Sequence, residues 1–153
     1  MHPKLDGHSI NYPMIGGLAL QRSGHTSPSK SDIAHDGARS TANIEWLIQD
    51  LGTLDMHDKK HVTEFGAEAV ALAYICCKAG WVAKRRINEK EYADWLLINE
   101  AGETMALEVS GTVSADPQTR LRRKKRQLIR CSEAKRLAIV VAFNQLSITA
   151  GGL

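Results

Sequence analysis

Two short apolar runs, each interrupted by a single carboxylate, restrict what this chain can fold into. Tyr92-Ala93-Asp94-Trp95-Leu96-Leu97-Ile98 is the first, and Met105-Ala106-Leu107-Glu108-Val109-Ser110 is the second. Both are too short and too apolar for a surface helix and read as β-strands. The polar turn Asn99-Glu100-Ala101-Gly102-Glu103 lies between them. The pair therefore reads as two adjacent antiparallel strands, each sending one acid toward the same end of a sheet. Burying an unpaired carboxylate costs several kcal/mol, and two side by side also repel. A divalent cation resolves both costs, and oxygen ligands suit Mg²⁺, Mn²⁺ or Ca²⁺.

The remaining elements fall around this pair. Val62, Phe65, Ala69, Leu72, Ala73 and Cys76 recur at helical spacing, predicting a helix from Lys59 to Lys78 closed by Ala79-Gly80. Trp81 to Ile87 reads as a strand. Asp116-Pro117 opens a basic helix running to about Ala134, with Asp as cap and Pro in the first turn. Leu137-Ala138-Ile139-Val140-Val141-Ala142-Phe143 is wholly apolar and reads as a central strand. Ahead of these, Ser40-Thr41-Ala42-Asn43 supplies capping residues for a short helix at 44–51. Residues 1–40 hold three of the four prolines and the Gly16-Gly17 pair, and read as an irregular extension or docking arm. An α/β domain then occupies 41–153.

The chain carries 153 residues, 43% apolar and 24% charged, which suits one ordinary globular domain. No apolar run is long enough to span a membrane. The cysteines, Cys76, Cys77 and Cys131, do not form a disulfide framework and suggest reduced thiols in a cytoplasm. The net charge of +3 is modest, but its distribution is not even. Arg120, Arg122, Arg123, Lys124, Lys125, Arg126, Arg130, Lys135 and Arg136 face a single acid, Glu133, within that segment. With so few acids at i±4, the helix gains little from internal ion pairs, and phosphates are the natural counter-charge. Arg122, Arg126 and Arg130 form one helical stripe. Lys84, Arg85 and Arg86 make a second basic cluster.

The order helix, three strands, basic helix, buried strand resembles the PD-(D/E)xK nuclease superfamily over about Glu64 to Phe143. The resemblance implies a restriction-endonuclease-like α-β-β-β-α-β core with a mixed sheet flanked by helices. It implies that Asp94 and Glu108 hold Mg²⁺ or Mn²⁺, with Glu68 on the first helix as an auxiliary acid. The family's lysine, two residues past the second acid, is replaced here by Ser110. Arg120, Lys124, Gln127 and Cys131 share a helical face. Lys124 is thus placed to act as a relocated lysine, and Gln127 matches a glutamine that some members carry there. Arg85, Arg86, Arg120, Arg122, Arg123, Arg126 and Arg130 would hold nucleic acid, DNA in preference to RNA. The implied activity is Mg²⁺-dependent phosphodiester hydrolysis, with a homodimer or protein partner as the working unit. The alternative is a subunit that keeps the fold, binds DNA or a partner in a restriction, mobile-element or defence complex, and has lost the chemistry.

Weaker signals are His57 and His61, spaced i, i+4 as zinc ligands would be, the loop at Ser23-Gly24-His25, and Asp6-Gly7-His8. Trp46, Trp81 and Trp95 read as packing residues.

Overall fold

A computed structural model describes residues 11–50, 58–88, 91–113 and 116–153. Asp6-Gly7-His8 and His57 lie outside the described residues. The architecture is α/β: a seven-stranded mixed sheet with helices on both faces. Helix α1 spans Asn11–Arg22, α2 Lys59–Ala79 and α3 Pro117–Leu128. The strands are β1 Ser29–His35, β2 Ala38–Ile44, β3 Val82–Arg86, β4 Trp95–Ile98, β5 Thr104–Thr112, β6 Arg136–Ala142 and β7 Ser147–Gly152. Their order across the sheet is β2-β1-β7-β6-β5-β4-β3.

From α2 to β6 the chain runs helix, three strands, helix, strand, as the sequence pattern predicts. β3, β4 and β5 pair antiparallel, and β5 pairs parallel with β6 after the α3 crossover. The apolar run 137–143 is the buried strand expected, with Ala138 to Ala142 inaccessible to solvent. Asp58 caps α2 by accepting from the Lys60 and His61 amides, and Gly80 ends it in a left-handed conformation. Asp116 caps α3 in the same way, with Pro117 in the first turn.

Four expectations are corrected. Residues 11–44 are not an irregular arm: they form α1 and a hairpin inside the same sheet, so a boundary at 40 would cut through β2. Leu18, Ala19 and Leu20 of α1 are buried in the main core against α2. Pro13 is tolerated because it lies in the first turn of α1, where its missing N–H has no partner to lose. The helix expected at 44–51 is absent from residues 44–50, because 38–44 pair with β1 instead. The cause is Asp36-Gly37, both at positive φ (47° and 84°), the two-residue turn that joins strands of natural twist. β4 begins at Trp95, since Tyr92 at φ 62° kinks the chain just before it. Finally, α3 ends at Leu128: the Arg136 guanidinium takes the carbonyls of Leu128, Ile129 and Cys131, closing the helix short of Ala134. β7 had no counterpart in the sequence reading.

The sheet has two different faces. Leu107, Val109, Trp95 and Leu97 pack with α1 and α2 in the large core. Ala106, Ala138 and Val140 pack with Leu121 and Leu128 of α3 in a smaller one. Among the described residues, no helix is long and apolar enough to cross a membrane.

Candidate functional site

Strand alternation assigns the side chains of β5. With Leu107 and Val109 turned toward α2, Glu108 and Ser110 face α3. Gly111 then allows a close approach on the α2 side: a Cβ there would stand 2.3 Å from the Thr63 carbonyl oxygen. That contact seats β5 tightly under α2.

Asp94 stands beside Glu108. Its Oδ2 accepts a 2.7 Å hydrogen bond from the Val109 amide. Its own amide donates to the Leu107 carbonyl at 3.0 Å, so the backbone on both sides of Glu108 is tied to Asp94. Glu108 is almost fully buried, at 1% exposure. Lys124 reaches it from α3 and forms an ion pair with Oε1. The other oxygen, Oε2, is buried with no hydrogen-bond partner among the described residues. Burial, and then the nearby Asp94 charge, push the Glu108 carboxyl up to about 7. The Lys124 ammonium and the Gln127 amide pull it part of the way back.

Arg120, Lys124 and Gln127 thus converge on one side of the sheet, as their helical spacing predicts. Arg120 donates to Ser110 Oγ at 3.0 Å and to the Gly111 carbonyl at 2.9 Å. Ser110 is therefore covered by an arginine, while the ammonium group on Glu108 comes from Lys124 of α3. Cys131, on the same line, is buried in the α3 core.

Glu68 does not join this group. It projects from α2 on the opposite face of the sheet, where its Oε2 accepts from Tyr12 Oη (2.8 Å), Trp95 Nε1 (3.1 Å) and Arg86. The same cluster raises the Tyr12 hydroxyl well above its usual value, through burial and then the Glu68 charge. Arg86 is committed there too, stacking over the Trp95 and Phe65 rings at 5.0 and 5.5 Å. Both residues therefore serve the packing of α1 and α2 and are withdrawn as metal ligand and nucleic-acid contact respectively. No local pattern in the chain marks Tyr12, on the N-terminal helix, as their partner.

The basic surface is smaller than its residue count. Arg85 pairs with Glu91 at 2.9 Å. Arg130 bonds Tyr92 Oη at 2.6 Å and lies 4.0 Å over its ring. Arg122, Arg123 and Arg126 are exposed and make no hydrogen bond or ion pair among the described residues. His61 stacks on Phe65 and lies 3.8 Å from Asp58. Among the described residues, no group of three or more His, Cys, Asp or Glu side chains is arranged to hold a metal.

Asp94 and Glu108 nonetheless suit one kind of ion. A buried carboxylate oxygen without a partner, beside a second carboxylate, matches a hard divalent cation that takes one or two protein carboxylates and keeps several waters. Comparison of the chain with family models, curated proteins and solved structures finds no match.

Proposed function

We propose that the protein is a nucleic-acid-binding, Mg²⁺-dependent phosphodiester hydrolase of PD-(D/E)xK type, acting on DNA, with its lysine supplied by α3. The observation that carries this reading is the Lys124 ammonium on a buried Glu108 carboxylate whose other oxygen has no hydrogen-bond partner among the described residues, next to Asp94.

Asp94 and Glu108 would hold Mg²⁺ or Mn²⁺. When bound, such an ion polarises a phosphoryl oxygen and makes a water nucleophilic near neutral pH. Lys124, paired with Glu108, would supply a positive charge against the negative charge that grows on the scissile phosphate. Arg120 holds Ser110 and the end of β5 in place, keeping Lys124 and Glu108 in register. Arg122, Arg123 and Arg126 would present their exposed guanidinium groups to the phosphate backbone.

The test is cleavage of plasmid and linear DNA in Mg²⁺ and Mn²⁺ by wild type, Asp94→Ala, Glu108→Ala and Lys124→Ala. Loss of cleavage by at least about a hundredfold in all three variants supports the reading. Wild-type rates in the two acid variants refute it. A second readout needs no turnover: Mn²⁺ should raise the Tm of wild type and not of Asp94→Asn.

Ser110 favours a second reading, a nuclease-fold subunit that binds DNA or a partner protein and does not cut. It predicts binding that weakens steeply with salt, indifference to Mg²⁺, and no cleavage under any condition.

A further inference from the structure

The two edges of the sheet are built differently. β3, at one edge, carries Lys84, Arg85 and Arg86 and an irregular register between Ala83 and Arg85. Charged side chains and bulges of this kind prevent an edge from pairing with another chain. β2, at the other edge, has neither device. It pairs with β1 without a break from Ala38 to Ile44, carries one charge, Arg39, and contains no proline. All of its residues but Ile44 are exposed. Its outer row of backbone groups has no strand beside it among the described residues.

The surface beside β2 is apolar as well. Ile33 faces the large core, so its register partner Ser40, with Ala42 and Ile44, lies on that same face. There, β2 forms one wall of an open groove of about 920 Å³ bounded by Met14, Ala73 and Ile148. Leu47 and Ile48, just past the strand, are 78% and 75% exposed, the two most exposed large apolar residues described.

We propose that β2 is the homodimerisation edge, pairing antiparallel with β2 of a second copy about a two-fold axis at Thr41. The sequence of the strand is self-complementary in this register. Thr41 meets the partner's Thr41, Ser40 meets the partner's Ala42, Arg39 meets the partner's Asn43, and Ala38 meets the partner's Ile44. No like charges oppose each other, and the central pair is β-branched, which favours cross-strand packing. An axis perpendicular to the sheet keeps the two grooves on one face, where they adjoin. The two seven-stranded sheets become one continuous sheet, and both candidate sites lie on its other face. A second copy fits better than an unrelated peptide because one strand satisfies both sides of an isologous interface. This inference concerns assembly and does not depend on the chemistry at Glu108.

Sedimentation equilibrium of the full chain tests it, from about 1 to about 100 µM. The expected mass is twice the 16.8 kDa of the chain. Thr41→Lys sets two ammonium groups opposite each other and should weaken the dimer by about tenfold or more. Asn43→Glu sets a carboxylate opposite the partner's Arg39 and should tighten it a few-fold. Lys84→Ala, on the guarded edge, should leave the mass unchanged. Both β2 positions are exposed, and unchanged thermal melts would show that the fold is intact. A monomer throughout the range, or a dimer whose affinity ignores both β2 substitutions, overturns the proposal. Because mass is the readout, the result is independent of whether the protein cuts DNA.

Discussion

At the scale of single residues, Glu108 sets the behaviour of the candidate site. Its carboxyl is held near 7, above the ordinary 4.5, by burial and by Asp94. The folded chain therefore keeps this proton after the unfolded chain has lost it. Between about pH 4.5 and pH 7 this makes stability fall as pH rises, with a limiting slope of about 1.4 kcal/mol per pH unit, and the effect levels off above that window. Glu108→Gln should flatten this part of the profile in urea titrations at stepped pH. Lys124→Met should do the opposite. It leaves the buried carboxylate without its cation and should cost about 3 kcal/mol at pH 8, with little loss at pH 5, where Glu108 is protonated. A Lys124→Met protein as stable as wild type at pH 8 would show that the ion pair does not carry the burial of Glu108.

At the scale of elements, close approaches decide where α2 sits. A Cβ on Gly66 would stand 2.5 Å from Ala19 Cβ, so α1 and α2 cross at a point where only glycine fits. Gly66→Ala should cost about 1–3 kcal/mol, seen as a lower urea midpoint with an unchanged slope. The β1–β2 turn offers a second case. Gly37 at φ 84° faces open space, so Gly37→Ala should cost about 1 kcal/mol from backbone strain alone. Asp36-Gly37 is also where the sequence was legible and misread. A two-residue Asp-Gly turn is a strong hairpin signal, whereas the shared face of Leu47, Ile48 and Leu51 points to a helix. Pairing with β1 prevailed through 44, and Leu47 and Ile48 remain exposed instead of forming a helical face.

At the scale of the whole molecule, the exposed arginines of α3 and the proposed dimer edge at β2 lie on separate parts of the sheet. α3 packs over β5, β6 and β7, whereas β2 is two strands beyond β7. DNA affinity should therefore respond to α3 substitutions in a dimer of normal mass. A triple Arg122→Ala, Arg123→Ala, Arg126→Ala protein should bind DNA more weakly and show a log–log salt slope shallower by about 2–3 than wild type. Fluorescence anisotropy at stepped KCl concentrations reads both. An unchanged slope would place the phosphate contacts elsewhere.

The sequence alone determined the order of elements from α2 to β6, the Gly80 stop of α2, the Asp116 cap of α3 and the buried central strand, because periodicity and capping are local properties of the chain. It also brought Asp94 and Glu108 forward together and put Lys124 and Gln127 on one helical face, since alternation along a strand and spacing around a helix assign faces without knowledge of the fold. Tertiary structure decided the rest. It set Glu68 and Arg86 on the far side of the sheet, covered Ser110 with Arg120, seated α1 in the core and added β1 and β2 to the sheet. Those outcomes depend on which face of the sheet each helix covers and which strand takes which neighbour. They are contacts between distant parts of the chain, and no window of neighbouring residues encodes them.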